Sequence, residues 1–153
     1  MLGSVAKKMR ILGFDCKYFS TIDDDELIVL AGKEDRTVLT MDRMVLQKCA
    51  KLQVPAIGVL SHSENDQLAE IARATGLKRY EFDAEKARCP LCNGTVKPVE
   101  KDLIVAKLPQ KIASHIDKFW QCSGCGHIYW EGTHIRNLKE LIGEINAALQ
   151  DIR

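Results

Sequence analysis

Arg36-Thr-Val-Leu-Thr-Met-Asp42 leads into Met44-Val-Leu-Gln-Lys-Cys-Ala-Lys-Leu52 and then Ala56-Ile-Gly-Val-Leu60. The outer two stretches, Arg36 to Met41 and Ala56 to Leu60, are short and rich in β-branched and apolar residues. They read as buried strands. The middle stretch has the length and spacing of a helix. Strand, helix and strand in this order make a βαβ unit, whose two strands run parallel because the helix carries the chain back.

The same alternation extends both ways. Upstream, Leu2, Val5, Ala6, Met9 and Leu12 recur at helical spacing, and Gly13 follows as a stop. Phe14 to Phe19 reads as a further strand. Asp23-Asp-Asp-Glu26 opens a second helix, with Leu27, Ile28, Leu30 and Ala31 as its buried stripe. Downstream, Ser63 caps a fourth helix that carries Leu68, Ile71 and Ala72 and stops at Gly76. The expected fold is α/β: a short parallel sheet covered by helices on both faces.

Ligands of such sheets bind beyond the carboxyl ends of the strands. Asp42 stands there, and the acidic run Asp23 to Glu26 lies on the same edge. Carboxylates converging on one edge are hard oxygen ligands suited to Mg2+ or Mn2+. A metal so held can polarise a phosphodiester and generate hydroxide. The same residues also suit plain helix capping, where aspartate satisfies free N–H groups and the helix dipole.

Four cysteines carry the strongest pattern. Cys89-Pro-Leu-Cys92 and Cys122-Ser-Gly-Cys125 are matched pairs, followed by Asn93-Gly94 and by Gly126. Each pair offers two sulfurs from one tight turn, so together they form a closed four-thiolate site for structural Zn2+. An iron–sulfur cluster uses the same ligands. The remaining cysteines, Cys16 and Cys49, sit among apolar neighbours and read as buried free thiols. His127 and His134 read as surface groups rather than ligands. Thr95 to Val99 and His127 to Trp130 alternate as strands about a polar linker, which makes residues 85–134 a zinc ribbon. Trp120, Tyr129 and Trp130 would pack its small core or offer bases a stacking platform.

The chain has 153 residues, of which 46% are hydrophobic and 28% charged, a composition that excludes a disordered or low-complexity protein. Its net charge of +1 excludes a polybasic tail protein. Residues 86–134 carry seven basic against four acidic residues, a mild bias toward a polyanion. No apolar run approaches the roughly 20 residues that span a bilayer. Lys7, Lys8 and Arg10 interrupt the apolar N-terminus, so a secreted or membrane location is not expected and a cytoplasmic one is. Ile135 to Arg153 places Leu138, Leu141, Ile142, Ile145, Ala148, Leu149 and Ile152 on one helical face. This face would dock on its own domain, on a partner, or on a second copy of the chain.

Taken in order, Met1-Leu2-Gly3-x-x-Ala6, Arg10-Ile11-Leu12-Gly13-Phe14-Asp15, Asp24-Asp25-Glu26-Leu27, Leu39-Thr40-x-Asp42-Arg43 and Gln67-Leu68 lead to the ribbon. There Arg88-Cys89-Pro90-x-Cys92-Asn93-Gly94 and Phe119-Trp120-x-Cys122-x-x-Cys125-Gly126-x-x-Tyr129-Trp130-x-Gly132-x-His134 follow. This order resembles the Mut-seven C-terminal ribonuclease domain family over roughly residues 1–136. The resemblance implies a PIN-like parallel sheet over residues 1–84 and a zinc ribbon over 85–134; the C-terminal helix over 135–153 is read from its apolar stripe alone. It also implies metal-dependent cleavage of RNA, with Asp42 and Asp24 as metal ligands, Asp25 beside them, and Arg10 and Arg43 steadying phosphate. Family members usually carry a short strand ending in a metal-binding Asp just before the Met-Leu-Gly element. That strand and its Asp are expected to be missing here. The alternative expectation is a non-catalytic RNA- or ribosome-binding zinc-ribbon protein whose aspartates only cap helices.

Overall fold

In the computed structural model, which describes residues 2–151, β1 (Val38–Thr40) and β2 (Ala56–Gly58) pair in parallel with Val38 opposite Ala56 and Thr40 opposite Gly58. The helix between them is α3 (Arg43–Lys51), as the βαβ reading requires. Before this unit comes α2 (Asp24–Lys33) and after it α4 (Glu64–Thr75). Ile28 and Ala31 of α2, Val38 of β1, and Val45 and Cys49 of α3 form one buried cluster, joined by half-buried Leu27, Val54 and Ala56. Cys49 is fully buried, and burial pushes its thiol pKa up. It is a core residue.

The expected helix boundaries hold where a cap defines them. Ser63 caps α4 by accepting from Asp66 N at 3.2 Å, and Gly76 ends it in a left-handed conformation at φ 72°. Gln67, one of the family-like motif residues, is buried on α4 and donates to the Ser61 carbonyl at 2.9 Å. It thereby shapes the loop that leaves β2.

The expected strand over Phe14 to Phe19 is absent, and the parallel sheet among the described residues has two strands rather than a fuller PIN-like set. The cause is local. α1 (Gly3–Ile11) ends in a turn with Gly13 at φ 94°, and Phe14 N still reaches back to Met9 O at 3.0 Å. The Cys16 N–H then bonds to the Asn93 side chain, so this backbone is satisfied without a strand partner.

A second sheet is antiparallel, with order β3 (Val96–Val99), β4 (Phe119–Cys122) and β5 (Ile128–Tyr129). Its register puts Val96 opposite Cys122, Pro98 opposite Trp120, and Trp120 opposite Tyr129. The linker between β3 and β4 is partly helical, with α5 (Lys101–Ile104), a 3-10 turn (Val105–Lys107) and α6 (Gln110–His115). Its buried Ile104 and half-buried Ile112 and Ile116 explain why a stretch that reads as polar still folds.

The last helix, α7 (Thr133–Gln150), buries Leu138, Ile142 and Ile145 of the expected stripe. Ile152 lies outside the described residues. Among the described residues no helix is long and apolar enough to cross a membrane.

The chain divides into two compact units. One holds residues up to Val5, Tyr18–Arg79 and the chain from Ile145, and so contains the parallel pair. The other holds Ala6–Lys17 and Tyr80–Glu144, and so contains the antiparallel sheet and all four paired cysteines.

Candidate metal centre and carboxylate edge

The Sγ atoms of Cys89, Cys92, Cys122 and Cys125 all lie within 4.8 Å of one another. Cys89 and Cys125 are 3.6 Å apart, and Cys92 and Cys122 are 3.4 Å apart. A disulfide would bring two sulfurs to about 2.05 Å. A tetrahedron with Zn–S bonds of about 2.3 Å has edges of about 3.8 Å. The spacing therefore fits four thiolates around one tetrahedral ion, and the donor set fits a soft or borderline metal such as zinc.

Two matching turns build this geometry. In the first, Asn93 N donates to Cys89 O at 2.8 Å and Cys89 N to Gly94 O at 2.9 Å. In the second, Gly126 N donates to Cys122 O at 3.0 Å and Cys122 N to His127 O at 2.9 Å. The residue after the second cysteine of each pair takes positive φ: Asn93 at 66° and Gly126 at 78°. Asparagine tolerates that conformation and glycine adopts it without strain.

Gly94 is glycine for a different reason. A Cβ there would lie 3.0 Å from Cys122 Sγ and 3.1 Å from Cys92 Sγ.

Two of the sulfurs, Cys89 and Cys122, are buried and two are exposed. Burial disfavours the Cys122 thiolate, but the backbone N–H groups of Cys125 and Gly124 and the sulfurs of Cys92 and Cys89 outweigh it and bring its pKa down to about 6. Gly124 N sits 3.3 Å and Cys125 N 3.5 Å from that sulfur. The Tyr129 hydroxyl lies 2.9 Å from Cys89 Sγ, and burial, with that contact second, pushes the Tyr129 pKa well up. Either group can donate toward a neutral partner; toward a Cys89 thiolate the phenol O–H is the donor.

The aromatic residues of the ribbon serve its packing. Trp120 and Tyr129 lie against the buried cluster of Cys89, Val96 and Cys122. Trp130 meets Phe119 edge-on at 6.2 Å. His127 is exposed and stacks obliquely on Tyr129 at 4.7 Å.

Arg10, expected to steady phosphate, is buried at 7% exposure. Its Nε donates to Cys16 O at 2.7 Å and its Nη1 to Pro90 O at 2.8 Å. It braces the first cysteine turn through the Pro90 carbonyl. The Asn93 side chain joins the same brace, donating to Asp15 at 2.7 Å and accepting from Cys16 N at 3.2 Å. No spacing rule ties residues 10–16 to residues 90–93. Their appearance in two separate motifs was the available hint.

The carboxylates stand in the other unit. Asp23, not Asp24, is the N-cap of α2, accepting from Asp25 N at 2.9 Å and Glu26 N at 3.4 Å. Asp24 and Asp25 follow on the exposed first turn. Asp25 pairs with Lys48 at 2.7 Å, which raises the Lys48 pKa, first through that hydrogen bond. Asp42 lies just past β1 and is the N-cap of α3, its Oδ1 accepting from Met44 N at 2.7 Å. Arg43 is exposed beside it.

Among the described residues, the four cysteines are the one group of three or more His, Cys, Asp or Glu whose ligand atoms converge.

The Mut7-C RNAse domain matches residues 1–142 of this chain. The chain belongs to that family. The Mut7-C domain therefore takes in both units, from the first helix through the parallel pair and the ribbon into α7. No curated protein and no solved structure shows a significant match. The Mut7-C membership agrees with the family that the ordered motifs resemble, and the converged cysteines agree with its expected zinc ribbon.

Proposed function

We propose that this Mut7-C chain is a metal-dependent endoribonuclease that hydrolyses RNA phosphodiesters and carries a structural zinc in its ribbon. The observation that carries the reading is the family match over residues 1–142. Asp42 and Asp24 would hold Mg2+ or Mn2+, with Asp25 next to them. Such an ion polarises a phosphodiester and lowers the pKa of a bound water. Mg2+ keeps several waters and can be held by one or two carboxylates.

The roles of the chain's own groups follow from their places. Asp42 uses one oxygen to cap α3, which fixes the carboxylate at the end of β1. Arg43, exposed on the first turn of α3, would orient a phosphate through its planar guanidinium. Cys89, Cys92, Cys122 and Cys125 would hold Zn2+ as a fold-forming ion. Thiolates kept for metal suit a reducing compartment, in keeping with a cytoplasmic protein.

A second reading is a non-catalytic RNA-binding protein. It is favoured by the pairing of Asp25 with Lys48 and the capping role of Asp42, which account for both carboxylates without an ion. Incubating the purified chain with single-stranded and structured RNA decides between them. The nuclease reading predicts cleavage that depends on added Mg2+ or Mn2+ and is lost in Asp42→Asn. RNA that is bound but left intact with either ion supports the binding reading.

A further inference from the structure

We propose that Tyr129 is a positioning residue of the metal centre, its hydroxyl donating to Cys89 Sγ so that the buried half of a four-thiolate zinc site is charge-compensated. The proposal rests on zinc occupying the cysteine cluster. Four thiolates around Zn2+ leave a formal charge of about −2. Cys89 is 0% and Cys122 2% exposed, so water cannot solvate their share of it. Buried charge must be met by hydrogen-bond donors.

Cys122 receives the N–H groups of Gly124 and Cys125 from its own turn. Cys89 is served from another element: the Tyr129 hydroxyl, 2.9 Å away and forty positions along the chain. The sheet register aims this hydroxyl. Tyr129 on β5 is opposite Trp120 on β4, and both lie against the cluster that contains Cys89 and Cys122. A donor brought by β5 ties formation of that last strand to a filled site, so the metal and the third strand stabilise each other.

Tyr129→Phe removes the donor and keeps the ring. In the full chain, zinc affinity measured by chelator competition should fall about tenfold or more, the usual effect of losing a group that orients a ligand. In the Co2+-substituted protein the thiolate charge-transfer band should move to lower energy, because the Cys89 sulfur becomes more electron-rich. Trp120→Phe serves as control: it trims packing on the same face but leaves the donor, so its band should stay where the wild-type band is. An unmoved band and unchanged affinity in Tyr129→Phe would overturn the proposal while leaving zinc binding intact. Equal band shifts in both variants would also overturn it. Failure of the wild type itself to take up zinc would overturn both the proposal and the zinc reading beneath it.

Discussion

Arg10 donates through Nη1 to the carbonyl oxygen of Pro90 at 2.8 Å, across eighty positions of chain. Pro90 lies inside the first Cys-x-x-Cys turn, and the Arg88 N–H returns the contact by donating to Arg10 O at 2.8 Å. The end of α1 and the first metal-binding turn are therefore one hydrogen-bonded piece. A zinc turn is usually held by its metal and its own backbone. Here a buried guanidinium also holds the loop between Cys89 and Cys92.

Arg10→Met should accordingly damage the ribbon. Hydrogen bonds from a charged donor contribute about 1.5–3 kcal/mol each, and two carbonyls lose theirs. A loss of about 3–6 kcal/mol is expected in denaturant unfolding, together with faster zinc release. Arg10→Lys should recover only part of it, because an ammonium lacks the fork that reaches both carbonyls. RNA affinity equal to wild type in the folded fraction would agree with the bracing role.

Gly94→Ala and Gly76→Ala should separate two uses of glycine. At Gly94 a Cβ meets two cysteine sulfurs at 3.0 and 3.1 Å, so the ligand set must spread. A cost of about 1–3 kcal/mol and weaker zinc retention are expected. At Gly76 nothing lies within 4 Å and only the positive φ is strained. That costs about 1–2 kcal/mol and should leave zinc content unchanged. Metal analysis alongside thermal unfolding of both variants reads the difference.

Asp42 caps α3 and is proposed to be catalytic, and two substitutions tell the two roles apart. Asp42→Asn keeps the cap, since Asn and Asp cap about equally well, so stability should barely change. Asp42→Ala should lose about 1 kcal/mol with the cap. If the carboxylate holds a divalent ion, both variants lose RNA cleavage despite their different stabilities. Cleavage that tracks stability instead would make Asp42 a cap only.

The parts of the fold written in local pattern were legible in the sequence. Ser63 and Gly76 bound α4 as their chemistry dictates, and the βαβ alternation from Arg36 to Leu60 gave the parallel pair. The cysteine spacing likewise made the four-sulfur cluster legible, because each turn offers two sulfurs close together. What failed depended on distant partners. Phe14 to Phe19 has strand-like residues, yet its backbone partners are Met9 and the Asn93 side chain. Arg10 is tied to Pro90 eighty positions away, a contact that no spacing rule shows. Tyr129 looked like a general aromatic, since its closeness to Cys89 comes from strand register rather than from spacing.

Glu70 gives a local pH probe in the other unit. The Ser61 hydroxyl, donating at 2.8 Å, is the main reason its pKa lies below the usual 4.5; burial opposes this, and the N–H groups of Ser61 and Leu60 assist. A carboxyl depressed by folding adds stability above its unfolded pKa and loses it as pH falls through the folded one. Hydrogen-exchange protection of the Leu60 and Ser61 amides should therefore drop on going from about pH 6 to about pH 3. In Glu70→Gln that pH dependence should vanish.

Metal and thiol analysis of the purified full chain tests the zinc centre most directly. The structure predicts one zinc per chain, with the four ribbon cysteines protected from alkylation until a chelator removes it. Metal-free protein with two disulfides, or protein carrying iron and inorganic sulfide, would contradict it.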